Sequence, residues 1–539
     1  MYCPTEETIF EVKYKDLLGR IGSLRTPRHT IETPTLLPVI NPSKLVISAS
    51  ELYEEFGIRA LITNAYLVMK FIRQEAVRRG IHNLLQFDGL IVTDSGAYQI
   101  LKYGGIDAQQ REIIEFQEAI NPDIGIILDV PTGSELDTKK ARFTVEETIR
   151  RADEAVRLRR SGDMIWIGPI QGGTHLDLLR YSAREMAKRP YPILALGSPT
   201  VIMERYQYKA LIDMIITTKM NIPPSRPLHL FGAGHPSMMA FAVAMGCDLF
   251  DSAAYALFAY EDRYMTEDGT IKLQNLKYLP CNCPMCSKTS AGELIGLEPR
   301  ERARRLAQHN LWVSLLEVKR IKQSILEGRL WELLERRSRA HPALQEALLA
   351  VGKHSEYIER HSPSDKPRGI FYYGRCSAAR PEIVRFRKRL GKFLGSRLRP
   401  RSIMFITYPW GQSSDRSIKK AKLALRKSIG KDIEKVNVTT FIPPFGPIPM
   451  ELLEAYPVGK TTMPEDLDEG TINDTIGFST DLLSRSGGHV TVITDGTAQA
   501  KDILKRSQWL RKAAIHPSGG TASRGNGGLA PKERRGKGI

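Results

Sequence analysis

Short runs of aliphatic and β-branched residues recur through the first 260 residues, each closed by a polar or Gly-rich break and followed by a longer amphipathic stretch. A buried strand needs only such a run, whereas apolar residues at three- and four-residue spacing mark one face of a helix. The rhythm therefore predicts β/α alternation. The runs are TPTLLPVIN ending near Asn41, IRALITNAY near Tyr66, GLIVTDSG with Asp94, IGIILDVP with Asp129, MIWIGPIQGG with Gln171, YPILALGSP with Gly197, RPLHLFGAG with Gly232 and CDLFDSA with Asp251. Eight units, mostly some 20 to 40 residues apart, predict an α/β protein built on a closed (β/α)8 TIM barrel. Each run is nearly all apolar, as parallel strands buried on both faces must be. Polar residues close the runs, and the loops at that end of a barrel assemble its active site.

The pattern changes after the eighth run. Cys281, Cys283 and Cys286 stand in LPCNCPMCSK, and His309 follows in the helical stretch ERARRLAQHN. Three thiolates and an imidazole fill the tetrahedral shell of zinc with no open position, which points to a structural Zn2+ rather than a hydrolytic one. Buried or redox cysteines are the simpler alternative. From about 296 to 350 the apolar spacing is helical, so residues 1–350 are expected to form the barrel with its zinc segment (281–309) and a helical extension. A linker around HSPSDKPRG leads to a small α/β module at 367–432 and a second small module at 433–513. The Gly-rich basic residues 514–539 are expected to be disordered.

Charge and cysteine usage narrow the setting. With 78 Lys and Arg against 60 Asp and Glu, the formal charge is +18, which favours a polyanionic partner through counterion release from phosphates. The basic run RFRKRLGKFLGSRLRPR (385 to 401) suits such a surface, although a solvated helix face reads the same way. No apolar run approaches the length of a membrane span and MYCPTEETIF is polar, so neither membrane nor secretion is expected. Cys3, Cys247 and Cys376 are scattered without partners, which fits a reducing cytoplasm.

Three aspartates at predicted strand ends, Asp94, Asp129 and Asp251, are the candidate chemical set, although any one of them alone reads as a helix cap or loop bond. A carboxylate there can attack an electrophilic carbon, move protons, or accept hydrogen bonds from a polar heterocycle. Spacing alone does not choose among these roles. His175 and His229 flank the same blocks and read as structural histidines.

The blocks TDSGAYQ (93 to 99), ILDVPT (127 to 132), IQGG (170 to 173), ALGS (195 to 198), HLFGAGHP (229 to 236), LFDSAAY (249 to 255) and CNCPMC (281 to 286) resemble, in order and spacing, the queuine tRNA-ribosyltransferase family, from about residue 8 to 320. FDSAAYALFAYEDRYMTEDGT and IETPTLLPVINP are most similar to its archaeal branch. That resemblance implies replacement of guanine at position 15 in the tRNA D-loop by 7-cyano-7-deazaguanine, a step towards archaeosine. It implies Asp251 as the nucleophile on ribose C1′ and Asp94 as acid/base, although the sequence leaves open which of the two attacks. It further implies that Asp129 binds the base edge, that Ser95, Gln171, Gly172, Leu196 and Gly197 complete the pocket, and that Tyr98 and Phe231 sandwich the base. A homodimer formed through the zinc-bearing region is implied as well.

No C-terminal PUA module is recognisable, so tRNA affinity is expected from the basic C-terminal modules or from a separate PUA-domain protein. Two other readings share the barrel: an amidotransferase paralogue of the archaeosine pathway and a catalytically silent tRNA-binding partner. The intact Asp94 and Asp251 argue against both.

Overall fold

The computed structural model describes residues 9–97, 109–133, 137–160, 162–397, 401–408, 410, 437–484, 489–507 and 515–517. Each of the eight apolar runs contains a strand: β1 (Thr35–Ile40), β2 (Ala60–Asn64), β3 (Leu90–Asp94), β4 (Ile124–Ile126), β5 (Ile165–Ile170), β6 (Ile193–Leu196), β7 (Leu228–Leu230) and β8 (Leu249–Ser252). They close in sequence order into one barrel, with β8 returning to β1. All pairs are parallel, with Asn64 opposite Asp94 between β2 and β3, and Asp251 opposite Leu37 between β8 and β1. The chain is thus an α/β protein whose barrel directs the ends of all eight strands to one mouth.

Inside, Leu37, Ile62, Val92, Ile124, Ile126, Ile165, Ile167, Ile193, Ala195 and Leu249 pack as one buried cluster. Branched side chains fill a barrel of this size without a pore. Phe10, Leu24 and Ile31 belong to the same cluster. They come from a three-stranded antiparallel sheet, Phe10–Asp16, Gly19–Arg25 and Thr30–Thr33, which precedes the barrel and which the β/α rhythm does not anticipate. Its first strand, FEVKYKD, buries only its two end residues, so an apolar-run criterion passes over it.

Two charged anchors fix this sheet to the end at which the strands begin. Arg20 grips Asp248 bidentately at 2.7 and 2.8 Å and donates to the carbonyls of Pro224 and Arg226. Asp248, one residue before β8, also accepts the Leu228 N–H at 2.9 Å. Arg28 meets Asp123, two residues after the αL residue Asn121, at 2.9 Å, and Asp123 accepts the Ile91 N–H at 2.8 Å. Both carboxylates are fully buried, and a buried charge is tolerated only when paired and hydrogen-bonded in this way.

The helical stretch expected from 296 to 350 forms three helices, Pro299–Glu327, Leu330–Arg337 and Pro342–Lys353, two of which begin with proline, where the missing N–H is harmless. The long helix holds the hairpin Arg263–Met265 and Thr270–Lys272 through Asn310, whose side chain accepts from Met265 N at 2.8 Å and donates to the Tyr255 and Arg263 carbonyls.

The chain divides into two compact units, Met1–Phe371 with Ala379–Val384, and Tyr372–Ala378 with Arg385–Ile539. In the second, the strands Gly446–Pro449, Asn437–Ile442, Arg401–Ile406, His489–Thr494 and Ile515–Pro517 lie in that order in one sheet, with Gly446–Pro449 alone antiparallel. Met404, Ile406, Phe441, Ile472, Ile476 and Val492 form its core. The basic tail expected to be disordered falls, from residue 518 on, outside the described residues.

Candidate active site

Asp94 is the last residue of β3 and Asp251 the third of β8, while Asp129 follows β4 by three residues. Parallel closure brings these positions to the same mouth, and their charges are felt across it. Burial first, and then the charges of Asp129 and Asp251, push the Asp94 carboxyl from 3.8 up to about 7. Hydrogen bonds from Gly96 N at 3.3 Å and Asn64 Nδ2 at 2.8 Å oppose that rise without cancelling it. Asn64 is itself held in place, because its Oδ1 caps the helix Ala65–Arg79 by accepting from Leu67 N at 2.9 Å.

Asp129 is buried, and burial raises it to about 6 although the Gln171 amide and the Arg151 charge act the other way. Gln171 Nε2 donates to Asp129 Oδ2. The remainder of the Gln171 amide is fixed: its Oε1 accepts from Thr132 N at 3.1 Å and from Ser198 Oγ at 2.9 Å. Ser198 in turn accepts the Gly133 N–H at 3.1 Å and takes a left-handed φ of 62°. The orientation of the Asp129 carboxyl is therefore set by a chain of hydrogen bonds running through three strand-end loops.

Gly197 leaves room for this amide, since a Cβ there would overlap the Gln171 side chain. Gly172 has φ 137° and gives its N–H to Thr132 Oγ1 at 2.9 Å, so it serves as a close-packed turn. Leu196 is fully buried at the end of β6. Ser95 is buried and its Oγ has no hydrogen-bond partner among the described residues, an unmet polar group beside Asp94. Phe231 is partly exposed and packs on the barrel core. Tyr98 lies outside the described residues.

Asp251, like Asp94 with its two donors on Oδ2, takes both of its hydrogen bonds on one oxygen. Its Oδ1 receives His229 Nε2 at 2.9 Å and the Gly232 N–H at 3.0 Å, and among the described residues no hydrogen bond reaches Oδ2. A carboxylate fixed at one oxygen and free at the other is oriented for attack or for accepting a donor. The sequence pattern does not single out Asn64, Ser198 or the His229 contact. Asn64 and Ser198 do end apolar runs, but nothing in a run of letters shows which of its polar residues meet.

The Cys and His cluster lies on other elements of the same unit. Three thiols and His309 Nδ1 are mutually within 4.8 Å. His309 Nε2 engages the Met265 carbonyl at 2.8 Å, which puts the hydrogen on Nε2 and turns the Nδ1 lone pair towards the sulfurs, with Tyr264 stacked on the ring at 3.7 Å. This donor set can hold a metal ion.

The family model of queuine tRNA-ribosyltransferase matches residues 16–343, the segment that contains the barrel, all three aspartates and the Cys/His cluster. The chain belongs to that family. It is 42% identical over 468 residues to a tRNA-guanine(15) transglycosylase of Methanocaldococcus jannaschii, covering 85% of this chain and 69% of the relative. Proteins of the same name from Sulfolobus acidocaldarius (40% identity, 90% of this chain and 95% of the relative) and Methanosarcina acetivorans (39%, 94% and 99%) are similar over nearly their whole lengths. Among the described residues, no helix of this family member is long and apolar enough to cross a membrane.

The raised Asp94 carboxyl has a consequence for stability. Between about pH 4 and pH 7 the folded protein keeps a proton that the unfolded chain releases, so the Asp94 contribution to stability falls as pH rises through that window and stays low above it. Asp94→Asn should therefore be more stable than wild type at about pH 8, by at most about 4 kcal/mol, and the difference should vanish near pH 4. Urea unfolding of both proteins at the two pH values measures this, and an equal difference at both would contradict the burial of the charge.

Proposed function

We propose that this protein exchanges guanine 15 in the D-loop of tRNA for 7-cyano-7-deazaguanine, the step towards archaeosine, through a covalent enzyme–tRNA intermediate. The observation that carries the reading is the pairing of an Asp94 carboxyl poised near neutrality with an Asp251 carboxylate whose Oδ2 accepts no hydrogen bond among the described residues. The names of its relatives and the shared family support the substrate class.

In the first half, Asp251 Oδ2 bonds to ribose C1′ as the C1′–N9 bond breaks, and the electron pair leaves on guanine N9, which takes the Asp94 proton. In the second half, Asp94 takes the N9 proton of the incoming base, that base attacks C1′, and the Asp251 carboxylate departs. Two displacements retain the configuration at C1′. A general acid works best when its pKa lies near the working pH, which the burial of Asp94 achieves.

Asp129 would accept from N1 and the exocyclic amine of a guanine-like edge, held by Gln171, with Ser95 Oγ as a further polar contact. Phe231, with Tyr98, would stack on the base, worth on the order of 1 to 3 kcal/mol. The target nucleoside must leave its stack to reach such a mouth. Gly172, Leu196 and Gly197 shape the wall against which it lies.

Cys281, Cys283, Cys286 and His309 would hold one Zn2+ that ties the segment after the barrel to the long helix, a structural role away from the reaction. The reading includes cytoplasmic tRNA as partner, a basic surface to bind it, and a homodimer that the solution mass would reveal.

Purified protein should incorporate radiolabelled guanine into unmodified tRNA. Asp251→Ala should lower the rate by on the order of 10³-fold or more, and a tRNA lacking guanosine 15 should take up nothing. Uptake that survives either change would overturn this assignment. Elemental analysis should find one zinc per chain. Cys286→Ser should lose it together with thermal stability, whereas a metal-free wild type of full stability would remove zinc from the account.

A further inference from the structure

His229 lies in the middle of β7, opposite Leu249 of β8 and Ala195 of β6, and is fully buried. A histidine kept in a barrel wall for structural reasons normally satisfies both ring nitrogens, because a buried polar atom without a partner is costly. Here one nitrogen has no partner: Nδ1 is buried and unbonded among the described residues. The other meets a single group, Asp251 Oδ1, at 2.9 Å. A carboxylate accepts, so Nε2 must carry the hydrogen. Phe231, partly exposed at the mouth, packs edge-on against the ring at 4.9 Å and 74°, which fixes the imidazole plane.

The second donor to the same oxygen is a backbone N–H. Gly232 has φ 64° and presents its N–H to Asp251 Oδ1 at 3.0 Å. A Cβ at this position would meet Thr200 Oγ1 at 2.6 Å, so both the turn and the space require glycine. One strand and the turn after it thus deliver two donors to one oxygen and, among the described residues, leave Oδ2 without a donor.

We propose that His229 is a positioning residue for the exchange reaction: together with the Gly232 N–H it pins Asp251 Oδ1, which designates Oδ2 as the attacking atom and holds the carboxylate ready to receive its electron pair back when the incoming base displaces it. This deepens the reading given above and rests on Asp251 being the nucleophile. While Oδ2 is bonded to C1′, Oδ1 is a carbonyl oxygen and still accepts both donors. When the C1′–Oδ2 bond breaks, the same donors face the charge that develops on the departing carboxylate. Preorganised donors at the site of developing charge need no reorganisation during the reaction.

The test is the rate of covalent enzyme–tRNA adduct formation in single turnover, set beside non-covalent tRNA affinity and thermal melting, for wild type, His229→Leu and His229→Gln. Leucine fills similar space without a donor, whereas the Gln amide nitrogen reaches the Nε2 position. Misplacing a reacting group by about 1 Å costs on the order of 10²-fold, so His229→Leu should form adduct about 10²-fold more slowly with tRNA affinity unchanged. His229→Gln should recover most of that loss.

If His229→Leu reacts at the wild-type rate, or if Leu and Gln lose equally, the donor is irrelevant and the proposal is wrong. If His229→Leu does not fold, His229→Asn replaces it, because its amide reaches only the Nδ1 position. Gln reacting faster than Asn then supports the proposal, and equal rates overturn it. Wild type with no adduct at all would instead refute the covalent intermediate of the reading above, an outcome visible in the control lane alone.

Discussion

Enclosing three carboxyl groups in one barrel mouth is the constraint to which the rest of the site answers. Burial raises the carboxyls of Asp94 and Asp129, and the charges of Asp129 and Asp251 raise Asp94 further. The fold separates them by giving each a different set of donors. Asp129 takes the amide of Gln171, Asp251 takes His229 and Gly232 on one oxygen, and Asp94 has Asn64 and Gly96 but rises to about 7. Three chemically identical side chains thus sit in three different environments, which suits the separate roles proposed for them as acid, nucleophile and base-reading edge.

Such a site needs a rigid frame, since the enclosure works against stability. The opposite end of the barrel supplies it. There Asp123 and Asp248 are also buried, but each is matched by an arginine and a backbone N–H from a neighbouring strand. The same residue type thus holds the fold at one end and remains reactive at the other. The antiparallel sheet that carries Arg20 and Arg28 also pushes Phe10, Leu24 and Ile31 into the barrel core, coupling the anchors to the packing.

The barrel was legible because buried parallel strands leave an almost pure apolar run, a signal that survives without any knowledge of neighbours. The strand-end aspartates were legible for the same reason, as charges that interrupt such runs. FEVKYKD was not, because its strand buries only Phe10 and Asp16 and pairs within a sheet that is not part of the alternation. His229 reads as a structural histidine because one polar letter within LHL looks like a core residue, and only the closure of β7 against β8 shows that it meets Asp251. The hydrogen-bond chain from Asp129 through Gln171 to Ser198 likewise spans 42 and 27 residues of sequence and exists only in three dimensions.

The central claim is that Asp251, not Asp94, becomes bonded to the ribose. Wild-type protein mixed with unmodified tRNA and quenched in acid, followed by nuclease and protease digestion and mass spectrometry of the peptides, identifies the bonded residue directly. A ribose-bearing remnant on Asp251 in the segment LFDSAAY is the predicted result. A remnant on Asp94, or rapid base exchange with no remnant on either residue, would contradict the account.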